Sequence, residues 1–482
     1  MNRAQISWYQ IEPTLQDPKN PNNPLQGNTK VLSDPRMRAI SQQEIFPQIT
    51  TDFGQSQLIT FDLSYYPKDR GPYNYITSRS EVGSDGKFLL PQRKWGGLMR
   101  SLDQTDFETA NIEYIECWVQ DPFITDPTST GGQFYIDLGE VSEDILKDGQ
   151  RFYENGLPTP NLPAQVDTSV WGVSPRNPIQ VTNAFSNDPR ERPYQDVGFD
   201  GLTDSAEVAF RRNDYLNVLA TNFGSNSQVY KDALSDPSSD NYQYYRGANL
   251  DAEKADILER YKKYNNPQGN SPIADNTSQY STAATLYPDQ EDLNGDNQLN
   301  QTESYFQYMV DLKPPTDPEM TVGNNFIIDK KVVGVTLVDG TTRNETWYQL
   351  RIPIESYNNK IGSIPDFKSI RFIRMFLTGF QDSVTVRFGE LSLVRNTWRK
   401  FQYKIDSTGN YTAASDTSFN VGAVNIEEDD KRTPLPYRTP AAIQRVQTLS
   451  NNGVPLLQNE QSLTLQFCSL AKNDGKAVFQ TY

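Results

Sequence analysis

The chain has 482 residues, a formal net charge of −16 at pH 7 and a sequence pI of about 4.7. This charge suits a calcium-exposed, extracytoplasmic surface and disfavours nucleic acid as a partner, because phosphate binding needs clustered Lys and Arg. The absence of histidine excludes Ser-His-Asp, Cys-His and HExxH sites. No P-loop or dinucleotide fingerprint occurs, and no glycosidase-type pair stands out among the 61 acidic residues, so we expect a protein that is not an enzyme.

Residues 1–150 predict a first β-sandwich module. Apolar and polar residues alternate over 58–67, 112–119 and 133–141, which is the signature of half-buried strands, and the run 95–100 belongs to the same copy of a loose repeat. Modules of about 100 residues with this pattern are typical of antiparallel sandwiches of the jelly-roll or galactose-binding-like kind.

Residues 151–304 predict a polar, loop-rich insert that is partly helical. Apolar residues fall at helical spacing over 251–264, before a stop at Asn265-Asn266-Pro267, and a second helix is expected over 206–219. A loop region of this length needs something that orders it.

The first acidic stretch of the insert places oxygen-bearing side chains at the spacing of a twelve-residue calcium loop. The candidate ligands are Asp196, Asp200, Asp204 and Glu207. The pattern fails at position 3, where Gly198 has no side-chain oxygen, and at position 8, where Thr203 replaces an aliphatic residue. A water molecule can replace the missing ligand.

The second acidic stretch matches the same loop more completely. Its candidate ligands are Asp292, Asn294, Asp296, Gln298 (through its carbonyl), Asn300 and Glu303. Leu299 holds the usual apolar position, and Asn297 stands where glycine normally provides a left-handed turn. The alternative for both stretches is a solvated Asp/Asn-rich turn. Because no clear helix pair flanks either loop, we expect structural calcium that orders the insert and no sensor hinge.

Residues 305–400 predict a second sandwich module that repeats the first. Its alternating segments are 305–314, 347–352, 370–377 and 384–391. Residues 401–482 predict a linker and the start of a third β module, whose strand at 462–468 has no visible partner. Cys117 and Cys468 are both expected to be buried thiols.

Exposed aromatic residues support a rival interpretation, a secreted or surface calcium-dependent carbohydrate-binding protein. The candidates are Tyr65, Tyr66, Tyr73, Tyr75, Trp95, Trp347 and Tyr348. Packing in the core or in loops explains these residues equally well.

Several longer runs resemble one family. They are residues 62–74, 95–100, 111–116, 138–149, 154–158, 195–202, 291–300 and 459–463. Together they are similar to an internal portion of the SprA/Sov family, the gliding-motility cell-surface protein of Bacteroidota.

The resemblance implies a function that cannot be inferred from the composition of the chain. It implies part of the outer-membrane translocon of the type IX secretion system, a very large β-barrel with soluble insertions. Expected partners are exported proteins with C-terminal sorting domains and other secretion-system subunits, and the missing barrel portions would contact the membrane. The N-terminus has no apolar signal-peptide core, and the last residues continue a strand pattern, so we expect a fragment. The family has no catalytic residues to transfer.

Overall fold

The computed structural model of the chain describes residues 2–51, 56–152, 154, 165–177, 195–270, 288–396, 398–401, 403, 419–432, 435–450, 453–468 and 475–480. Two antiparallel sheets, of six and five strands, form its centre. In chain order their strands are β1 (Ala4–Tyr9), β2 (Phe61–Arg70), β3 (Trp95–Ser101), β4 (Ile112–Gln120), β5 (Gly132–Glu140), β6 (Ser304–Leu312), β7 (Ile327–Thr336), β8 (Thr342–Pro353), β9 (Asn359–Ile361), β10 (Phe372–Thr378) and β11 (Val384–Arg395).

The strand order interleaves the two predicted modules. The six-stranded sheet has the order β1-β2-β11-β4-β8-β7, and the five-stranded sheet has the order β9-β6-β5-β10-β3. Segments 1–150 and 305–400 therefore share both sheets, whereas the sequence repeat suggested one sandwich per segment. The reason is that corresponding segments of the two copies lie in opposite sheets, so that β4 pairs with β8 and β11 while β5 pairs with β6 and β10. The predicted class, mainly β with antiparallel sandwich packing and a partly helical insert, is confirmed.

The two sheets pack face to face over the main hydrophobic core. Alternation places Leu63 and Tyr65 of β2 on the core face, where both are fully buried. Phe134 of β5 meets Phe388 of β11 across the sheets with ring centroids 5.6 Å apart. Burial of such side chains contributes about 1.5–3 kcal/mol each.

The outer face of the six-stranded sheet is covered as well. Trp118 and Trp347 are buried there in a smaller cluster with Ile40, Ile45 and Phe46. The N-terminal segment thus covers a sheet face that would otherwise meet water, and polar residues of that face become buried too.

The helices are short, and most of them belong to the insert. They are α1 (Pro13–Gln16), α2 (Thr29–Leu32), α3 (Gln42–Ile45), α4 (Phe107–Ala110), α5 (Asp204–Phe210), α6 (Asn217–Phe223), α7 (Gln228–Ser235), α8 (Ala248–Glu253) and α9 (Ile257–Tyr261). The helix expected over 206–219 corresponds to α5, a π-helical turn (Arg212–Leu216) and the start of α6. The single helix expected over 251–264 is wrong, because Lys254 adopts a left-handed conformation (φ 52°) and separates α8 from α9. None of the described helices combines the length and the apolar character needed to cross a membrane.

The insert rests on the sandwich through specific contacts. Tyr261 of α9 stacks on Tyr9 of β1 with ring centroids 4.3 Å apart. Arg70 of β2 donates to the hydroxyl of Tyr215 at 2.5 Å and to the carbonyl of Pro237 at 2.8 Å. These contacts set the insert's position relative to β1 and β2.

The remaining strands form two-stranded pairs. They are Ile40–Ser41 with Gln57–Leu58, Val166–Thr168 with Val173–Pro175, Trp398–Lys400 with Val478–Gln480, Phe419–Asn425 with Gln461–Phe467, and Gln447–Leu449 with Pro455–Leu457. The strand that had no visible partner in the sequence therefore pairs with Phe419–Asn425. Cys117 is buried as expected, but the expectation for Cys468 is wrong, because this thiol follows an exposed strand.

Candidate metal centre

Two distant acidic segments meet inside the insert. Asp200 lies in the turn before α5, and Glu207 lies in the first turn of that helix with its side chain fully buried. The chain leaving α7 brings Asp236 and Asp240 to the same place. One carboxylate oxygen from each of Asp200, Glu207 and Asp240 lies within 4.8 Å of the others. Asp204, Glu207 and Asp236 form a second group of the same kind, so Glu207 is shared.

Hydrogen bonds fix the orientation of these carboxylates. Ser238 donates its backbone N–H to Oε2 of Glu207 at 2.9 Å and its hydroxyl to Oδ2 of Asp200 at 2.6 Å. Tyr73, which follows β2, donates its hydroxyl to Oδ2 of Asp240 at 2.8 Å. The centre is thereby connected to the sandwich.

The electrostatics of the centre disfavour a full set of charges. Burial, followed by the field of Asp200, raises the pKa of Glu207 to about 9. Burial also raises the pKa of Asp200 to about 7, and burial with Asp200 and Glu207 nearby places the pKa of Asp240 well above its usual range. Carboxylates this close cannot all be ionised unless a bound cation compensates their charges. Without a cation, some of them must be protonated.

Few basic groups are available for that compensation. Lys263 pairs with Asp236 at 3.2 Å. Within the described part of the chain, no lysine or arginine forms an ion pair with Asp200, Glu207 or Asp240. Apart from the field of Arg211 on Asp200, the described residues supply little positive charge to these three carboxylates, which leaves protons or a metal ion to compensate them.

The donor set fits a hard cation. All of its members offer oxygen, which is the ligand atom that Ca²⁺ prefers, and the five carboxylates with water can supply the six to eight oxygens required. The side-chain amide of Gln268 lies 3.2 Å from Oδ1 of Asp240 and 3.0 Å from Oε1 of Glu207. With its nitrogen toward them it donates to both carboxylates, and with its oxygen toward them it becomes a further cation ligand.

Asp196, the first residue of the predicted loop, lies elsewhere. Its Oδ1 accepts the backbone N–H groups of Gly269 at 2.8 Å and Asn270 at 3.0 Å. Of the four predicted ligands in this stretch, the structure thus brings Asp200, Asp204 and Glu207 together and places Asp196 beside residues 269–270.

The second acidic stretch folds as a series of turns. Asp292 is fully buried and accepts the N–H groups of Asp296 at 3.1 Å and Asn297 at 2.8 Å. Oδ1 of Asn294 also accepts the N–H of Asp296, and Oδ1 of Asp296 accepts the N–H of Gln298. These side chains satisfy backbone groups of their own loop.

The last two predicted ligands of this stretch point toward the sandwich. Asn300 donates its side-chain N–H groups to Oε2 of Glu140 at 3.1 Å and to the carbonyl of Val141 at 2.9 Å. Glu303 forms two hydrogen bonds of 3.0 Å with Arg374 of β10. Among the described residues, the carboxylates of this stretch form no cluster like that of the first.

Sequence reasoning missed Asp236, Asp240 and Gln268, and it considered Tyr73 only for carbohydrate binding. The run Asp236-Pro-Ser-Ser-Asp240 was visible as an acidic turn. Its pairing with residues about 30 positions earlier was not, since short Asp/Ser runs usually serve as turns.

Comparison with known proteins identifies the family. No curated protein matches the chain. The family model SprA_N, described as motility related/secretion protein, matches residues 214–482, which is more than half of the chain. The chain therefore belongs to the SprA_N family of motility-related secretion proteins.

Proposed function

We propose that this chain is a non-enzymatic part of the outer-membrane channel through which the type IX secretion system exports proteins to the cell surface. The observation that supports this most strongly is the family match over residues 214–482. Strands β2–β5 precede the matched segment, yet they pair with β6, β8, β10 and β11 inside it. The matched and unmatched parts therefore form one structural unit, which extends the argument to the whole sandwich.

In this proposal the chain works at the outer membrane or cell surface. Its partners are exported proteins with C-terminal sorting domains and other subunits of the secretion system, and gliding motility depends on that export. The carbohydrate-binding rival loses support, because Tyr65, Tyr73, Trp347 and Tyr348 are packed in the interior.

Depletion of the protein in its native cell tests the proposal. We expect a reporter that carries a C-terminal sorting domain to accumulate in the periplasm and gliding to stop, while the same reporter without the domain is unaffected. Normal export of the tagged reporter after depletion would overturn the proposed role. Fractionation of the envelope tests the location separately.

We also propose that calcium orders the insert at the Asp200–Glu207–Asp240 centre. The support is the convergence of five acidic residues of which, in the described part of the chain, only Asp236 forms an ion pair, with Lys263. A ligand that binds only the folded state stabilises it by about 2.7 kcal/mol at 100 times its Kd. Calorimetry with Ca²⁺ should show binding that Asp240→Asn weakens and that Asp382→Asn, an exposed control, leaves unchanged. Equal binding by the two variants would refute this assignment.

A further inference from the structure

A second group of buried oxygen atoms lies beside the first centre, where residue 154 meets residues 269–270 and 289. Glu154 is 0% exposed, and its Oε2 accepts the backbone N–H of Asp289 at 2.7 Å. Its other oxygen, Oε1, is buried and has no hydrogen-bond partner. A buried acceptor without a donor destabilises the folded state.

Asn270 contributes a second unpartnered acceptor. This residue is 4% exposed, and its side-chain nitrogen donates to Oδ2 of Asp289 at 2.8 Å. That bond fixes the orientation of the amide, because reversing it would place the amide oxygen against a carboxylate oxygen. The oxygen, Oδ1, is buried without a donor. The backbone N–H of the same residue donates to Asp196, which is the predicted ligand that the first centre leaves out.

The surroundings are acidic. Burial first, and then the fields of Asp289 and Asp196, place the pKa of Glu154 well above its usual range. Burial raises the pKa of Asp289 to about 6, and Asp196 contributes in the same direction. Within the described ranges, neither Glu154 nor Asp289 forms an ion pair with a lysine or arginine. A water molecule could donate to the two free oxygens, but it would not compensate their charge.

We propose that Glu154, Asn270 and Asp289 bind a second Ca²⁺ ion. A cation coordinated by oxygen would bind the two acceptor atoms that have no hydrogen-bond donor. Its charge would also compensate the carboxylates. The peptide 268–270 lies between the two centres, since Gln268 contacts Asp240 and Glu207 while Asn270 contacts Asp289. The second site does not depend on the first, because its ligands are different residues.

The test is calcium titration of the full chain, with melting curves in EDTA and in Ca²⁺. Glu154→Gln keeps the shape and removes the charge. We expect it to lose one equivalent of bound calcium relative to the wild type and to be at least as stable as the wild type in EDTA. Asp289→Asn is the second variant and should lose the same equivalent. Unchanged stoichiometry in a folded variant would overturn the site and indicate water or protons there.

Glu143→Gln is the matched control. Glu143 is equally buried, but its oxygens accept N–H groups from Leu293 at 2.8 Å and Asn300 at 3.0 Å. We expect this variant to lose stability in EDTA and in calcium alike, with its calcium stoichiometry unchanged. A lost equivalent in this control would show that the measurement reports general damage and would remove the support for the site.

Two further measurements separate the proposals. Asp240→Asn should remove a different equivalent, so that the double variant with Glu154→Gln loses both. If only the Asp240 variant loses calcium, the second site is wrong and the first is supported. If only the Glu154 variant loses calcium, the first site is wrong and the second is supported. If the Glu154 and Asp289 variants do not fold, anomalous scattering from calcium-saturated wild-type crystals decides. The proposal requires an anomalous peak at coordination distance from Oε1 of Glu154.

Discussion

The sandwich and the insert bury acidic side chains in different ways. In the sandwich, Asp62 is paired with the buried Arg387 at 3.3 Å, and Asp137 is paired with Arg374 at 2.8 Å. Glu345 is bound by Arg38 at 2.6 Å. In the insert, Glu154, Asp200, Glu207 and Asp240 are as deeply buried, and no arginine or lysine of the described chain forms an ion pair with any of these four.

This difference indicates how each region compensates the charges of its buried carboxylates. Neighbouring strands hold an arginine opposite a carboxylate in a fixed register, so the pair is complete once the sheet has formed. The insert is made of short helices and turns, and it collects acids from separate segments. Its stability should therefore depend on calcium, whereas the stability of the sandwich should not.

Breaking a sandwich pair should have the largest effect. Arg387→Met leaves Asp62 buried without its cation, and it also removes donors to the carbonyls of Pro35 and Arg38. Removing one partner of a buried pair typically costs about 3–5 kcal/mol. We expect this loss in urea unfolding, of equal size in EDTA and in calcium.

Two variants control this experiment. Adding Asp62→Asn should recover part of the loss, because no buried charge then remains. Lys68→Ala removes an exposed pair with Asp382 and should cost no more than about 1 kcal/mol. If the stability lost in Arg387→Met differed between EDTA and calcium, the sandwich would depend on calcium as well, and the proposed difference between the two regions would be wrong.

Removing a carboxylate of the insert should reverse its effect with calcium. Burial raises the pKa of Glu207 to about 9, so folding without calcium near pH 7 requires this carboxyl group to take up a proton. Glu207→Gln removes that cost, so we expect the variant to equal or exceed the wild type in EDTA. In excess calcium the wild type gains about 2–4 kcal/mol and the variant gains less, so the order inverts. Thermal melting of both proteins in the two conditions measures this.

The matched control is Glu345→Gln, which changes the same residue type at the same depth in the sandwich. Glu345 accepts from Arg38, Arg343 and Gln120. We expect its substitution to destabilise the protein in both conditions. If Glu207→Gln behaves in the same way, calcium does not compensate the insert.

Asp121 tests whether protons alone can compensate a sandwich carboxylate. It follows β4, and burial raises its pKa to about 6, against the opposing effects of the N–H of Phe123 and of Lys330. Because the folded pKa exceeds the unfolded value, its stabilising contribution is complete below pH of about 4 and is lost as pH rises through about 6.

Asp121→Asn should therefore match the wild type near pH 4 and exceed it by about 2–3 kcal/mol above pH 7, at 1.36 kcal/mol per pKa unit. Urea unfolding across this range in EDTA measures the difference. Parallel stability curves for the two proteins would show that Asp121 does not titrate with a raised pKa.

Much of the fold was predictable because strands carry a local signal. Alternation identified β2, β4, β5, β6, β10 and β11 before their partners were known. Pairing was not predictable, since nothing in one strand specifies that β4 lies between β11 and β8. The phase of each copy across the two sheets is a property of the assembled sandwich.

The candidate site, too, was predictable only in part from the sequence. Loop spacing selected Asp200, Asp204 and Glu207, which do converge. It also selected Glu303, which faces Arg374, because the arginine comes from a strand about 70 residues later. The participation of Asp236 and Asp240 in the cluster could not be predicted, since they approach Glu207 only after α7 has returned the chain to α5.

The smallest effect concerns Gly198, where the first loop departs from the calcium pattern. Its φ is +67°, and a Cβ added there would lie 2.2 Å from Oδ2 of Asp240. The carboxylate of Asp240 thus occupies the space that a position-3 side chain would need, and in the proposed calcium site it would supply the oxygen that the loop lacks. Gly198→Ala should cost about 1–2 kcal/mol for its left-handed backbone and, by displacing Asp240, should weaken calcium binding. Gly295→Ala has a φ of +69° and no atom within 4 Å of its added Cβ, so it should show the backbone cost alone. Equal calcium affinity in the two variants would mean that Asp240 does not take the place of the absent loop ligand.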